Sequence, residues 1–207
     1  GCGKKEEAKP VEAPKPVASA PAPAKPEPLK IAFAYAGPVG DGGWTFAHDN
    51  GRKAIEKEFG DKVVTSFVEK VPEGADAERV IRDLAQQGNM LIFTTSFGFM
   101  NPTIKVAEEF SQTRFEHATG YKTAANVNTY NARYYEARYL AGWLAGKTSR
   151  SGIAGYVAGF PVPEVVQGIN AFALGMRSVN PKASVRVVWL QSWFDPPRER
   201  DAALTLV

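Results

Sequence analysis

Large aromatic side chains stand beside glycine-rich loops at several points of this 207-residue sequence, an arrangement suited to stacking on a flat ligand. Trp44 follows the loop 36–43, which holds four glycines and Asp41, and it begins a segment with helical spacing of apolar residues. The unpaired N–H groups at the start of that helix should face the loop and attract a polar group of a ligand. The candidate ligand-binding residues are Trp44, Phe97, Phe160, Trp193, Asp41 and Asp195.

Two of these aromatic residues have an alternative role in the hydrophobic core. Trp44 could pack beneath its loop, since most aromatic residues in short loops are structural. Phe97 lies in the sequence Ser-Phe-Gly-Phe, and this pattern is equally consistent with a ring in the core and with a ring in a cleft. The sequence alone therefore leaves both roles open for Trp44 and for Phe97.

Motifs of catalysis and cofactor binding do not match the sequence. The loop 36–43 departs from the dinucleotide-binding pattern G-x-G-x-x-G, and residues 142–148 (GWLAGKT) are one residue short of a phosphate-binding loop. His48 and His117 lack a zinc-binding motif, and His48 with its neighbour Asp49 is expected to form a solvated or capping pair. We therefore expect no catalysis, no cofactor and no metal site. The net charge of +3 gives no indication of a nucleic-acid partner.

The elements that would position these side chains alternate between strand and helix. Strands are predicted at residues 31–35, 63–68, 90–95, 115–118, 153–158 and 185–190, and helices at residues 44–59, 76–87, 103–110, 132–146, 164–179 and from 198 onward. This alternation indicates an α/β fold with parallel sheets covered by helices on both faces. Ligands of such sheets bind beyond the carboxyl ends of the strands, where the loops with the candidate residues lie.

Composition divides the chain into three parts. Residues 1–28, rich in Ala, Pro, Lys and Glu, are predicted to be a disordered tether, because they bury too little apolar area to fold. Residues 29–150 are predicted to form a first α/β lobe, and residues 151–207 the start of a second lobe. Two strands do not make an independently stable sheet, so the second lobe is expected to be truncated.

Cys2 is the single cysteine of the sequence, which excludes a disulfide within the chain. The sequence Gly-Cys-Gly before a charged Pro/Ala-rich segment resembles the mature start of a bacterial lipoprotein, in which the cysteine carries the lipid. We expect lipidated Cys2 to anchor the chain to a membrane. An incidental thiol or a cloning remnant is the alternative.

Four segments in order carry a resemblance to a known family. They are LKIAFAYAGPVGDGGWTFAHDNGRKAIEKEFG, IFTTSFGFMNPTIKVAEEF, YNARYYEARYLAGWLAGKTSRSGIAGYVAGFPVPEVVQGINAFALGMRSVNP and VVWLQSWFDPPRE. Together they are similar to the basic membrane protein family of substrate-binding lipoproteins, which includes the purine nucleoside receptors of ABC importers. The resemblance extends from about residue 29 to the last residue.

The resemblance implies a type I periplasmic-binding-protein-like fold, in which two doubly wound parallel-sheet lobes close on a ligand by a hinge. It implies a purine held between aromatic rings, ABC permease subunits as partners, a monomer, and a location in the cell envelope facing the periplasm or the cell exterior. Trp44 stands where a phenylalanine is more usual in the family motif D-x-S-F-N, and Thr45 replaces its asparagine. A free base such as adenine is therefore as suitable a ligand as a nucleoside.

Three other functions agree with parts of the sequence. A sugar or another small molecule would suit a receptor of the same fold. A nucleoside-processing enzyme would need an acid or base from Asp41, Asp49 or Asp195, the loop and helix carboxylates near the predicted cleft. A surface lipoprotein with a vestigial cleft is the third alternative.

Overall fold

The computed structural model describes residues 1–3 and 25–207, so most of the predicted tether lies outside the described residues. The strands are β1 (Leu29–Ala34), β2 (Val63–Val68), β3 (Leu91–Thr94), β4 (Arg114–Ala118), β5 (Val127–Tyr130), β6 (Ile153–Ala158) and β7 (Ser184–Trp189). The helices are α1 (Trp44–Phe59), α2 (Ala75–Gln86), α3 (Met100–Glu109), α4 (Tyr134–Thr148), α5 (Pro163–Val179) and α6 (Pro196–Thr205).

Five strands form a parallel sheet in the order β2-β1-β3-β4-β5, which confirms the predicted α/β class. The strand order reverses between β1 and β3, and such a reversal opens a crevice at the carboxyl edge of the sheet. Ala34 at the end of β1 pairs with Val68 of β2 and Thr94 of β3, so these three strands end level. The loops that follow them therefore share one edge of the sheet.

Three helices cover this sheet, α2 and α3 on one face and α1 on the other. Apolar residues of β1 alternate between the two faces: Ala32 and Ala34 pack with Ile81 of α2, and Phe33 packs with Ile55 of α1. Because helices cover both faces of the sheet, the side chains on both faces of β1 are apolar, and this accounts for the continuous apolar run in the sequence.

Helix α1 buries a polar face, contrary to the apolar spacing expected for it. Its buried residues are Thr45, Asp49 and Arg52, whereas Phe46 and Phe59 are 46% and 49% exposed. The physical reason is an ion pair: Arg52 Nε donates to Asp49 Oδ1 at 2.7 Å, beside the hydroxyl of buried Tyr35. Asp49 is thus neither a solvated nor a capping partner of His48.

Strand β5 was not among the predicted strands. Its sequence, VNTY, is four residues long and half polar, so neither alternation nor an apolar run marks it. Helix α3 also begins three residues earlier than expected, at Met100, because a 3-10 turn at Phe97–Phe99 leads directly into it.

Strands β6 and β7 form a second, two-stranded parallel sheet, and helices α4 and α5 pack together beside it. The two helices approach at Gly142 and Gly175, where an added Cβ would overlap the backbone carbonyls of Phe172 and Tyr139 respectively. The predicted boundary at residue 150 stays a prediction, and the packing of α4 on α5 favours grouping α4 with the second sheet. Among the described helices none is long and apolar enough to cross a bilayer.

Candidate ligand-binding cleft

A cavity lies where the loops of the two sheets face each other. Its lining residues are Ala36, Gly37, Asp41, Trp44, Thr45, Ser96, Phe97, Thr119, Val162, Glu164, Trp193 and Phe194. The cavity measures about 70 Å³, and one water needs roughly 10–15 Å³ on the same measure. It therefore admits a group larger than a single water. We call it the cleft.

Trp44 forms part of the cleft wall on the side of the first sheet, and its side chain is half-buried. The indole Nε1 donates to the carbonyl oxygen of Thr95, the residue that follows β3, at 2.5 Å. The indole ring lies 4.8 Å from the ring of His48 and 5.9 Å from that of Tyr134. One edge of the ring is thus fixed to the sheet while the side chain stays partly open to the cleft.

His48 packs against the ring of Trp44 and bonds the backbone carbonyl oxygen of the same residue. Its Nδ1 lies 2.9 Å from the carbonyl oxygen of Trp44, and its Nε2 lies 3.1 Å from the hydroxyl of Tyr130. Since a carbonyl only accepts, Nδ1 carries the proton and Nε2 accepts from Tyr130. Burial lowers the pKa of His48, although the bond to Trp44 and the charge of Asp41 oppose this shift. Burial therefore favours the neutral imidazole.

Asp41 caps helix α1. Its carboxylate accepts from the backbone N–H groups of Gly43, Thr45 and Phe46 at 2.8, 3.0 and 2.9 Å. Partial burial by itself would raise the pKa of Asp41, but these bonds outweigh burial and lower it. The expectation that the first N–H groups of α1 are open to a ligand is therefore wrong for Thr45 and Phe46, because the carboxylate of Asp41 already accepts from both.

The loop after β3 contributes Phe97 to the cleft. The two rings that flank Gly98 have separate environments, since Phe97 lines the cleft while Phe99 is fully buried in the core of the first sheet. The ring of Phe97 lies 6.2 Å from that of Tyr121. The structure thus separates two aromatic residues that the sequence leaves equivalent.

The loop after β7 contributes Trp193 on the opposite side. The indole Nε1 of Trp193 donates to Glu73 Oε1 at 2.9 Å, and the same oxygen accepts from Ser96 Oγ at 2.6 Å. Phe160 lies behind Trp193, with ring centroids 4.8 Å apart and planes inclined by 59°. Phe160 lines a neighbouring groove rather than the cleft, so it supports Trp193 instead of facing the cavity.

Asp195 has a local role at the start of α6. Its carboxylate accepts from the backbone N–H of Arg198 at 3.2 Å, and its own N–H donates to Glu199 at 3.0 Å. It does not line the cleft. Asp195 therefore acts as the N-cap of α6, and the site proposed below omits it.

Several lining residues were missed by sequence reasoning. Thr119 follows β4 and Glu164 lies in the first turn of α5 after β6, so the rule that ligands bind beyond the strand ends applies to both. Thr119 also has a positive φ of 68°, a backbone feature that its sequence does not reveal. The described residues include no group of three or more His, Cys, Asp or Glu side chains placed to hold a metal ion.

A family model and several curated proteins match the sequence of this chain. The family model described as ABC transporter substrate-binding protein, PnrA-like, matches residues 29–207. A purine-binding protein of Brucella abortus is 60% identical over 181 residues, which are 87% of this chain and 52% of that protein. A Haloferax volcanii protein named as an ABC transporter glucose-binding protein is 46% identical over 185 residues, 89% of this chain and 47% of that protein. The chain thus spans about half the length of these curated relatives.

Solved structures share the fold at lower identity. A solute-binding protein of an ABC transporter system from Aeropyrum pernix matches with a TM-score of 0.72 and 22% identity, over 87% of this chain and 53% of that chain. A Caulobacter myo-inositol binding protein matches with a TM-score of 0.64 and 13% identity, over 90% of this chain and 61% of that chain. The fold class predicted from the sequence, a type I periplasmic-binding-protein-like fold, is confirmed. By its match over residues 29–207, the chain belongs to the Bmp family of PnrA-like ABC transporter substrate-binding proteins.

Proposed function

We propose that this chain belongs to an extracytoplasmic receptor that captures a purine base or nucleoside in the cleft and delivers it to an ABC permease. The observation that carries the proposal is that Trp44 and Trp193 line one cavity although they follow strands of different sheets. The five-stranded sheet with α1, α2 and α3 would contribute one lobe, and β6 and β7 with α4 and α5 would contribute part of the other.

The chemistry of the cleft suits a flat aromatic ligand. Its wall holds four aromatic residues, Trp44, Phe97, Trp193 and Phe194. Stacking of a base on an aromatic side chain contributes roughly 1–3 kcal/mol, and it does not depend on which base is bound. The Brucella relative, which is described as a purine-binding protein, supports the same ligand class.

The three aspartates that could serve as acid or base are all engaged elsewhere, which leaves Glu164 as the one cleft carboxylate without a hydrogen-bond partner among the described residues. Asp41 is held by three backbone N–H groups, Asp49 is paired with Arg52, and Asp195 caps a helix. A general acid or base needs a carboxylate within reach of the ligand and open to proton exchange. The relatives in the Bmp family are likewise substrate-binding proteins of transporters.

Closure of two lobes would couple capture to delivery. A ligand shifts a two-state equilibrium only by contacts that it makes better in one state. Trp44 begins the helix after β1 and Trp193 lies in the loop after β7, so a base stacked between them would contact segments of both sheets and favour the closed state. The closed state would then present the surface that the permease recognises.

A sugar receptor is the second candidate, favoured by the Haloferax relative named for glucose binding. A sugar ring carries hydroxyl groups around its whole rim, and each one needs a partner when it is buried. In the cleft, however, the hydroxyl hydrogens of Ser96 and Thr119 already bond Glu73 and the carbonyl oxygen of Ala118. These bonds leave the two hydroxyls as acceptors only, so the wall offers few side-chain donors to the oxygens of a polyol.

Calorimetric titration of the full-length protein with adenine, guanosine, inosine, glucose and myo-inositol tests the proposal. We expect saturable binding of at least one purine and no binding of either sugar. Binding of a sugar in the absence of any purine binding would move the assignment to a sugar receptor. Release of free base from a nucleoside during the same incubation would instead indicate an enzyme.

We further propose that a lipid on Cys2 holds the receptor at the membrane. Cys2 is exposed, and residues 4–24 between it and the fold lie outside the described residues. Two-phase detergent partitioning of a Cys2→Ser variant expressed with its export signal should move the protein to the aqueous phase with unchanged ligand affinity. A variant that stays in the detergent phase would exclude lipidation of Cys2 as the anchor.

A further inference from the structure

Glu164 is the one acidic residue on the cleft wall to which the sequence analysis gave no role. It lies in the first turn of α5, on the side of the second sheet, and its side chain is half-buried. The other acidic residue of the wall, Asp41, is already bonded to the first N–H groups of α1. Glu164 therefore differs from Asp41 in facing the cavity without such partners.

The surroundings of Glu164 leave its oxygens available. Within the described residues no hydrogen bond reaches its carboxylate, and its charged neighbour Arg138 of α4 forms no ion pair with it. The hydroxyl of Tyr134 is the other neighbour, since burial and the charge of Glu164 both raise the pKa of Tyr134. The Arg138 side chain instead packs near Gly168, one helical turn further along α5. Burial raises the pKa of Glu164, and Arg138 only partly opposes that shift. A carboxylate that is half desolvated and unpaired is costly unless another group donates to it.

The remaining polar side chains of the wall offer mainly acceptors. Ser96 donates its hydrogen to Glu73, and Thr119 donates its hydrogen to the carbonyl oxygen of Ala118. Their oxygens can still accept, as the oxygens of Glu164 do. A ligand that fills the cleft therefore meets mainly acceptors on this wall and must bring hydrogen-bond donors of its own, which on a base are N–H groups.

We propose that Glu164 accepts a hydrogen bond from an N–H donor on the edge of the stacked ligand and thereby selects bases that carry such a donor. The inference rests on the proposed function, because it assigns the ligand edge within the same cleft. Trp44 and Trp193 would stack on the faces of the base, and Glu164 would accept a hydrogen bond from its edge. Faces alone do not distinguish one base from another, whereas an edge contact does.

Binding of three related ligands to two variants tests this role in the full-length protein. The ligands are adenine, unsubstituted purine, which lacks the amino group, and 9-methyladenine, which lacks the ring N–H. Glu164→Ala should weaken adenine binding about tenfold or more, since the bond to a charged acceptor is lost. For at least one of the two analogues the loss should be much smaller, because the donor is already missing.

Glu136→Gln is the matched control, since Glu136 also lies in the first turn of a helix but pairs with Arg133 away from the cleft. This control should bind all three ligands like the unaltered protein, and melting temperatures should confirm that the variants are folded. An equal loss for all three ligands, or no loss with Glu164→Ala, would overturn the role of Glu164. Failure of the unaltered protein to bind any of the three, or inosine or guanosine, would instead overturn the proposed function itself.

Discussion

Glu73 and Trp193 are 120 positions apart in sequence, yet Trp193 Nε1 donates to Glu73 Oε1 at 2.9 Å. Glu73 lies between β2 and α2 of the first sheet, and Trp193 follows β7 of the second. The bond therefore joins the loops of the two sheets directly beside the cleft. Ser96 donates to the same carboxylate oxygen and helps to hold it in place.

Replacement of Glu73 should affect ligand binding through this bond. Glu73→Ala removes the acceptor of Trp193, and we expect purine affinity to fall about fivefold, the equivalent of ~1 kcal/mol for a partly exposed bond. Glu73→Gln keeps a side-chain oxygen that can accept, so its affinity should stay near that of the unaltered protein. Calorimetry on both variants checks the expectation, and equal affinities for Ala and Gln would show that the bond does not contribute to closure.

Asp41 should matter for stability more than for ligand contact. Asp41→Ala leaves N–H groups at the start of α1 without their acceptor, and it should lower the free energy of unfolding by roughly 0.5–2 kcal/mol. Asp41→Asn should lower it less, because the amide oxygen still accepts. Urea unfolding with and without ligand gives both quantities. Unchanged stability together with a large loss of affinity would instead restore the direct ligand contact expected from the sequence.

The sequence predicts the positions of the loops better than the partners of their side chains. Trp44, Phe97 and Trp193 each come after a strand, so the rule for parallel sheets places them at the carboxyl edge. In the structure all three line the same cavity. The partners of Asp41 and Asp195 could not be predicted, because a carboxylate in a loop caps a helix or faces a ligand depending on local backbone geometry.

Local backbone geometry and contacts between residues distant in sequence explain the arrangements that the sequence does not predict. Phe97 and Phe99 are separated by one glycine, and only the 3-10 turn that contains them sends one ring to the cleft and the other to the core. The polar buried face of α1 depends on Asp49 and Arg52 meeting the hydroxyl of Tyr35 on a strand. Neither arrangement follows from the spacing of apolar residues.

His117 should make stability depend on pH. It is fully buried, its Nε2 has no hydrogen-bond partner in the described part of the chain, and burial lowers its pKa to about 4. In the unfolded chain its pKa is about 6.5, so between these values the unfolded state binds more protons than the folded state. The contribution is present above about pH 6.5 and is lost as the pH falls toward 4, at a cost of up to roughly 3 kcal/mol.

Unfolding in urea at a series of pH values checks this expectation, and His117→Asn should flatten the profile between pH 6.5 and 4. A second measurement does not depend on the variant's folding. In the NMR spectrum of the unaltered protein, the ring protons of His117 should show no titration near pH 6.5. A titration midpoint near that of a free histidine would mean that the ring is accessible to solvent.

The central claim is that Trp44 stacks on a purine in the cleft. Its most direct test is the dissociation constant of the bound purine for Trp44→Ala in the full-length protein, measured on the folded fraction defined by a parallel melt. The account predicts a loss of tenfold to a hundredfold, the equivalent of roughly 1–3 kcal/mol of stacking, with a small change in melting temperature and near-normal affinity for Trp44→Phe. An unchanged dissociation constant with a steep fall in melting temperature would contradict it, because Trp44 would then be a core residue.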